Sequence, residues 1–165
     1  MVLKKDQNLK IRKANIKDVH LIHSLIKELA EYEKLSHEVV SNEKDLARNL
    51  FGKTKYAEVL LGYYNNIPAG MALFFHNYST FAGKPGIYLE DLYVKPEFRG
   101  KGIGKSLLLQ LINIAGKRKC GRVEWAVLDW NQSAIDFYMK LGAVPMKSWK
   151  IFRLTADKIK MINKP

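Results

Sequence analysis

The sequence predicts a mixed α/β fold, with a single domain over residues 1–165 and a core from about residue 9 to about residue 162. A chain of 165 residues can bury one substantial core without disulfides. It contains no internal repeat, low-complexity tract or linker that would divide it. Its strand and helix patterns follow the order β-α-α-β-β-β-α-β-α-β, which is typical of a layered α/β domain.

The N-terminal third predicts one strand and two helices. The segment LKIRKA (9–14) has the composition of a strand, and Asp18 follows it in the first turn of a helix. Apolar residues then recur at core-facing helical spacing, at Ile22, Leu25, Ile26 and Leu29. Ser41 is predicted to be the N-cap of a short second helix that ends near Leu50.

The middle of the chain predicts a β-hairpin. The segments YAEVLLGYY (56–64) and IPAGMALFF (67–75) flank the turn-forming pair Asn65-Asn66. The stretch 76–86 is rich in small and aromatic residues and is expected to be an irregular connection.

The second half of the chain predicts a further strand, IYLEDLYV (87–94), which Pro96 ends. A helix is expected from Gly104 to about Gly116, and the segment RVEWAVLD (122–129) is expected to be another strand.

The C-terminal segment predicts one helix, one strand and a short terminal helix. Asn131 is expected to cap a helix that ends at Lys140. The segment WKIFRL (149–154) is predicted to be the last strand, and Thr155 to begin the terminal helix.

Charge is unevenly distributed along the chain. Lys and Arg total 28 against 16 Asp and Glu, so the net charge of +12 favours polyanionic partners such as nucleic acid, acidic proteins or a phosphorylated cofactor. Basic residues gather at 4–13, 95–105, 117–122 and 140–153, whereas 28–45 is acidic. The basic clusters contain no interleaved aromatic residues in RGKGIGK and GKRKCGR, so nucleic-acid binding is not expected.

The remaining composition restricts the classes of protein. Cys120 is the only cysteine, which excludes a disulfide framework and a cysteine-based metal site and favours a reducing cytoplasm. His20 and His23 share a helical face without a third ligand nearby, so no metal is expected. No segment has the length of a membrane span and the N-terminus has no apolar signal region, so we expect no membrane partner.

The segment EFRGKGIGKSLLLQL (97–111) is a glycine-rich loop that leads into a helix, an arrangement that suits an anion. A P-loop would require a glycine at Arg99, and a dinucleotide fingerprint would require one at Lys105. Both motifs are therefore excluded. The loop instead fits the pattern Gln/Arg-x-x-Gly-x-Gly/Ala over residues 99–104.

That loop resembles the acetyl-coenzyme A loop of the GNAT N-acetyltransferases, and the predicted element order matches their fold. Within this family the chain is most similar to the spermidine/spermine and thialysine acetyltransferases. The matching segments are KELAEYE (27–33), YLEDLYV (88–94), RGKGIG (99–104), DWNQSAIDFY (129–138) and SWKIFRL (148–154). The resemblance implies a largely antiparallel central sheet flanked by helices, acetyl-CoA as cosubstrate, and a homodimer.

The resemblance also implies which residues bind the cofactor. Backbone amides of the loop are expected to surround the pyrophosphate of coenzyme A, and amides of the preceding strand to pair with its pantetheine arm. The expected cofactor-binding residues are Leu92, Tyr93, Val94, Arg99, Gly100, Lys101, Gly102, Ile103, Gly104, Lys105 and Asn131. Capping of a helix by Asn131 would not exclude this role.

Glu90 and Asp91 are neighbours on one strand, so their side chains are expected to point to opposite faces. A carboxylate pair in an apolar segment is costly unless it is paired or used. The resemblance implies that Glu90 assists removal of the amine's proton and that Tyr138 is the general acid for the leaving thiolate. Asp91 is expected either to attract a cationic substrate or to pair with a basic residue.

Tyr32 and Glu33 match family positions that line the amine pocket, and they lie in the acidic stretch. The spermidine/spermine enzymes carry an acidic pair where this chain has Met146-Lys147-Ser148. A shorter amine therefore fits at least as well as a long polycation.

The sequence therefore predicts an acetyl-CoA-dependent N-acetyltransferase that acts on a small diamine, polyamine or thialysine-like amino acid. Three alternatives stay open: a protein or peptide N-acetyltransferase, a non-catalytic acetyl-CoA sensor, and a nucleic-acid binding module.

Overall fold

The computed structural model describes residues 8–163, which form five strands and five α-helices. The strands are β1 (Leu9–Lys13), β2 (Glu58–Tyr64), β3 (Ile67–Ser79), β4 (Lys84–Val94) and β5 (Val123–Trp125). The helices are α1 (Val19–Tyr32), α2 (Glu43–Phe51), α3 (Ile103–Lys117), α4 (Gln132–Lys140) and α5 (Ala156–Ile162).

The chain divides into two compact units, the first ending at residue 126 and the second beginning at residue 127. The first unit contains the whole sheet and α1 to α3, and the second contains α4 and α5. A single domain over the whole chain stays a prediction. No helix within residues 8–163 combines the length and the apolar character that a membrane span requires.

The five strands form one sheet in the order β1-β2-β3-β4-β5. All neighbouring pairs are antiparallel except β4 and β5, which are parallel. The predicted mixed, largely antiparallel sheet is therefore confirmed. The predicted hairpin is confirmed as well, because Asn65 and Asn66 join β2 to β3 with φ angles of 50° and 63°.

Helices cover both faces of the sheet, so its central strands are apolar on both sides. On one face, residues of α1 and α2 form a core cluster with alternate residues of the strands, among them Val59 and Leu61 of β2. On the other face α3 approaches β2 so closely that a Cβ at Gly62 would lie 3.0 Å from Cγ2 of Ile103. Arg118, just after α3, forms an ion pair with Glu58 of β2 at 2.5 Å.

The entry to α1 is fixed by a buried carboxylate. Asp18 accepts two hydrogen bonds from the Arg12 guanidinium, both 2.7 Å long, and a third from the backbone N–H of Asn15 at 2.8 Å. The hydrogen bond from Asn15 is one half of a capping box around the 3-10 turn of residues 16–18, and the Asn15 side chain accepts the other half. Because this turn comes first, α1 itself begins at Val19 rather than before Asp18.

Two local predictions in the first unit were wrong. The N-cap of α2 is Asn42 rather than Ser41, because the Asn42 side chain accepts a hydrogen bond from the backbone N–H of Asp45 at 2.9 Å. Residues 76–86 are not an irregular connection, since most of them extend β3 and β4 into a long hairpin. The small and polar residues of this stretch do not form a strand pattern in the sequence, and the extension is evident only from the pairing between the two strands.

Two strands predicted for the C-terminal half of the chain also differ from the structure. The strand expected over 122–129 is only three residues long in β5. Residues 149–154 form no strand, and no sheet ladder among the described residues includes them. Their aromatic and branched side chains favour extended backbone, but a strand forms only where a partner supplies hydrogen bonds. Phe152 in this segment is 91% exposed.

Candidate active site

The predicted site residues fall on four parts of the chain. Tyr32 and Glu33 lie at the C-terminal end of α1, and Glu90 and Asp91 lie within β4. The glycine loop connects the end of β4 to α3, all within the first unit. Asn131 and Tyr138 belong to the second unit, and their surroundings are described separately below.

A β-bulge in β4 places the carboxylate pair. Asp91 pairs with Leu73 of β3, whereas Leu89 pairs with Phe74, so Glu90 is the extra residue on β4. The strict alternation of faces expected for Glu90 and Asp91 is interrupted at this point. Glu90 is exposed and Asp91 is half-buried. Sequence reasoning identified both carboxylates but not the bulge that presents them.

The surroundings of Asp91 destabilise the charged form of its carboxyl group. Burial, together with repulsion from the neighbouring carboxylates of Glu90 and Glu33, raises the pKa of Asp91 to about 7. Burial also raises the pKa of Glu33. No basic side chain of residues 8–163 forms an ion pair with Asp91 within 4.0 Å. The sequence left open whether Asp91 pairs with a basic residue, and among residues 8–163 the structure shows no such ion pair.

Asp91 and Glu33 line a cavity of about 280 Å³ between α1 and the following loop. Its apolar wall includes Ile26 and Leu29 of α1, and its acidic groups are Glu33, Glu38 and Asp91. An apolar wall beside carboxylates that carry raised pKa values suits a ligand with an alkyl chain and a cationic head.

A second cavity, of about 530 Å³, shares Val39 and Ser41 with the first. It is lined by polar residues of α1, including Lys27, Glu28 and Glu31. Sequence reasoning did not find this cavity, although the charged run at the start of KELAEYE lies on it. Within residues 8–163, no three His, Cys, Asp or Glu side chains cluster so that they could hold a metal ion.

The far edge of β4 becomes unpaired where the cofactor is expected. β5 pairs with β4 only through Ile87, Tyr88 and Leu89, so the described strands provide no partner on that side for Leu92, Tyr93 or Val94. Backbone amides along this edge can therefore pair with an extended ligand.

The end of β4 is also fastened to α1. The Tyr93 phenol donates a hydrogen bond to the Glu28 carboxylate at 3.4 Å, and burial raises the pKa of Tyr93 to about 12. Lys95 forms an ion pair with the same carboxylate at 3.3 Å. These contacts hold the strand end and the helix at a fixed separation.

The glycine loop has the shape that an anion requires. Gly100 and Gly102 adopt φ angles of 77° and 76°, which side chains rarely tolerate, and Gly102 is the N-cap of α3. A Cβ built on either glycine would meet no heavy atom within 4 Å, so the space beside the backbone is open. The unpaired N–H groups of the first turn of α3 adjoin this space, and Lys101 and Lys105 add positive charge. The loop therefore fits a pyrophosphate.

In the second unit, Asn131 caps α4. Its side-chain oxygen accepts a hydrogen bond from the backbone N–H of Ala134 at 3.3 Å. Tyr138 lies on α4 and is half-buried, with its ring centroid 5.3 Å from that of Phe137. The predicted helix from Asn131 to Lys140 is confirmed.

Comparison with known proteins identifies the family of the chain. Residues 21–143 match the model of the Acetyltransferase (GNAT) family. Thialysine N-epsilon-acetyltransferase of Bos taurus is 39% identical to this chain, over 89% of this chain and 92% of that protein. L-ornithine N5-acetyltransferase of Arabidopsis thaliana is 33% identical, over 94% and 88% of the two chains. A solved Vibrio cholerae integron cassette protein superimposes with a TM-score of 0.79 at 24% identity, over 96% of this chain and 99% of that one.

The raised pKa of Asp91 generates a prediction about stability. At about pH 8 the folded protein must keep this carboxyl charged in a poorly solvated position, so Asp91→Asn should raise the free energy of unfolding by about 1–3 kcal/mol. The gain should shrink as the pH falls from about 7 toward 3.8, because the folded carboxyl is then neutral while the unfolded chain is still ionised. Urea unfolding at several pH values measures it.

Glu90→Gln is the matched comparison, because Glu90 is the exposed neighbour on the same strand. It should raise the free energy of unfolding at about pH 8 by less than Asp91→Asn does, because it removes only one of the charges that repel the Asp91 carboxylate and leaves its burial unchanged. If Asp91→Asn instead lowered the free energy of unfolding by the same amount at every pH, the inference that the folded protein destabilises the charged form of Asp91 would be wrong.

Proposed function

Because the chain belongs to the acetyltransferase (GNAT) family, we propose that it transfers the acetyl group of acetyl-CoA to a primary amine of a small molecule. The chain is an N-acetyltransferase, and the acceptors that we propose are diamines, polyamines and thialysine-like amino acids. The observation that carries this proposal is the cavity beside α1, where an apolar wall adjoins the carboxyl groups of Glu33 and Asp91. Such a cavity fits an alkyl ammonium group.

The amine must lose a proton before it can attack a thioester. A free alkyl ammonium has a pKa of about 10.4, so roughly one molecule in a thousand is neutral at pH 7. In our proposal Asp91 and Glu33 attract the cation, and Glu90 accepts its proton through a water molecule. The position of Glu90 supports this role, because the bulge exposes its side chain beside Asp91.

The glycine loop and the edge of β4 are proposed to hold the cosubstrate. Acetyl-CoA, when bound, supplies an activated thioester carbonyl. The backbone N–H groups of residues 99–104 and the first turn of α3 would bind the pyrophosphate, with Lys101 and Lys105 adding charge. The amides at 92–94, with Asn131, would align the pantetheine arm, and an amide of the same edge would donate to the oxyanion.

The leaving group requires a proton donor. As the amine nitrogen forms its bond to the carbonyl carbon, the carbon–sulfur bond breaks and a thiolate departs. We assign Tyr138 to donate its phenolic proton to that sulfur, while the proton of the amine passes to Glu90. A phenol with a pKa of about 10 and a thiol with a pKa of about 8.5 are close enough for this transfer.

A short acceptor is favoured over a long polycation. The named activities of two relatives concern L-ornithine and thialysine, which are amino acids with a terminal amine. This chain has Met146-Lys147-Ser148 where the spermidine/spermine enzymes carry an acidic pair. A lysine at this position would repel a second ammonium group rather than bind it.

We also propose a homodimer in a reducing cytoplasm. The support for self-association is the exposure of large apolar side chains in the C-terminal segment, including Trp149, Ile151 and Phe152. The support for the compartment is the single cysteine, Cys120.

The proposed reaction predicts a specific pattern of substrates. Release of free thiol from acetyl-CoA should depend on an added amine, and kcat/KM for ornithine, thialysine or a short diamine should exceed that for spermine. A screen of these amines together with lysine-rich peptides measures this directly. Preference for spermine would contradict the short acceptor, and turnover only with peptides would favour a protein acetyltransferase.

A further prediction concerns the loop. Gly102→Val should weaken coenzyme A binding at least about tenfold, because a β-branched residue at a φ of 76° strains the loop and fills its open side. Gly116→Val is the matched control, since its Cβ also meets no heavy atom within 4 Å but its φ is not positive. Calorimetry with coenzyme A should find wild-type affinity in the control. Equal affinities in all three proteins would place the pyrophosphate elsewhere.

The role of Tyr138 predicts a separation of kcat from KM. Tyr138→Phe keeps the ring but removes its proton, so kcat should fall about 10²–10⁴-fold while KM for the amine changes much less. The loss should be smaller with a thioester whose thiol is more acidic. Tyr78→Phe, at an exposed tyrosine of β3, is the control and should leave kcat unchanged. A near-normal kcat in Tyr138→Phe, where chemistry limits the rate, would give this tyrosine a packing role only.

A further inference from the structure

His23 of α1 is a half-buried histidine that contacts the segment of residues 39–41, which lies between α1 and α2. Its Nε2 lies 3.1 Å from the backbone carbonyl oxygen of Ser41, and its side chain is only 16% exposed. A carbonyl oxygen can only accept a hydrogen bond, so Nε2 must carry the hydrogen and donate it. The other ring nitrogen, Nδ1, lies 3.9 Å from the Glu43 carboxylate, which is beyond hydrogen-bond distance. The ring therefore donates its one close hydrogen bond to Ser41.

The 39–41 segment belongs to the acceptor side of the site. Val39, Val40 and Ser41 all line the acidic cavity, on which Asp91 also lies. Val39 and Ser41 line the larger cavity as well, and so does His23. The segment thus borders both cavities, and His23 contacts it from the side of the larger one.

Little else fixes the 39–41 segment in place. It has no regular secondary structure, residues 35–38 before it are exposed, and Val40 is 90% exposed. Within residues 8–163, the bond from His23 is the one hydrogen bond that α1 makes to this segment. A segment with few buried apolar contacts opens easily, so the loss of this bond should free it to move.

His20, one turn earlier on α1, offers a direct comparison. Its Nδ1 lies 2.8 Å from the carboxylate of Glu43, and its side chain is 87% exposed. His20 lines neither cavity, and its contact is with α2 rather than with the 39–41 segment. Replacing His20 therefore changes a contact between α1 and α2 but leaves the bond to Ser41 intact.

We propose that His23 is a positioning residue for the acceptor amine, because its hydrogen bond to Ser41 holds the 39–41 segment against the acidic cavity. This assignment rests on the proposed function, in which Asp91 and Glu33 attract the cation. His23 does not itself line the acidic cavity, so its effect passes through the segment. Loss of the bond leaves the carboxyl groups and the glycine loop in place, and it removes only the fixed position of one cavity wall.

The test compares side chains with and without a donor at the position of Nε2. His23→Leu should raise KM for the amine about five- to tenfold at saturating acetyl-CoA, with kcat and the Kd for coenzyme A changed less than about twofold. His23→Gln can place an amide N–H near the position of Nε2, so its amine KM should stay within about twofold of wild type. His20→Leu is the matched control and should leave the amine KM unchanged. Steady-state kinetics and calorimetry with coenzyme A provide the measurements.

The tautomer of His23 provides a second measurement, which does not depend on activity. In the neutral ring the hydrogen should be on Nε2, and nitrogen NMR of the imidazole at about pH 8 reports which nitrogen carries it. The spectrum of His23→Gln identifies the signals of this ring.

Three results would overturn the assignment of His23: an unchanged amine KM in His23→Leu, an equal rise in KM in His20→Leu or His23→Gln, or a neutral ring with its hydrogen on Nδ1. If His23→Leu does not fold, His23→Asn takes its place, because its shorter amide corresponds in position to Nδ1 and cannot reach Ser41. A wild-type protein that binds coenzyme A but acetylates no small amine would overturn the proposed function instead, and the tautomer would still report whether the bond to Ser41 exists.

Discussion

The pairing of β4 is the constraint on which the site depends. This strand is bonded to β3 along its length but to β5 only through three residues, so its last part has one edge that the described strands leave open. The bulge at Glu90 falls where pairing with β5 stops, and the chain beyond Val94 leads into the glycine loop. Along its length, β4 therefore carries first the two carboxyl groups, then the unpaired backbone edge, and finally the residue that leads into the glycine loop.

The carboxyl groups of the first unit differ in the charges that surround them. Asp18 and Glu58 each lie against an arginine, and that hydrogen bonding lowers the pKa of both groups despite their burial. Asp91 is half-buried, but its charged neighbours are Glu90 and Glu33, and its pKa is raised. A carboxyl group whose charged form is destabilised contributes nothing to the stability of the fold, which supports the binding role that we propose for Asp91. An incoming cation would supply the missing partner.

The sequence predicted those features that local chemistry determines. The Asn65-Asn66 turn, the glycine-loop entry into α3 and the Asn131 cap of α4 each depend on residues close together in the chain. The bulge in β4 was not predictable, because it follows from the register of two strands. The contact between Tyr32 and Arg99 joins residues far apart in sequence, and only the packing of α1 against the sheet brings them together. For residues 149–154, strand-forming side chains suggested a strand that no described partner completes.

The distribution of charge explains how a strongly basic protein can accept a cation. A net charge of +12 favours a phosphorylated cosubstrate and repels an ammonium ion at long range. Salt screens exposed charges beyond about 8 Å under physiological conditions, so the distant lysines contribute little at the pocket. Inside it, the nearest charges are carboxylates in a poorly solvated setting, where screening is weaker. The Arg99 guanidinium does not line the cavity, and it contacts the ring of Tyr32 and the backbone carbonyl of Val94 instead. In the proposed reaction, selection of the amine is therefore a local property of the cavity, and the basic surface can bind the anionic cosubstrate without repelling the amine from that cavity.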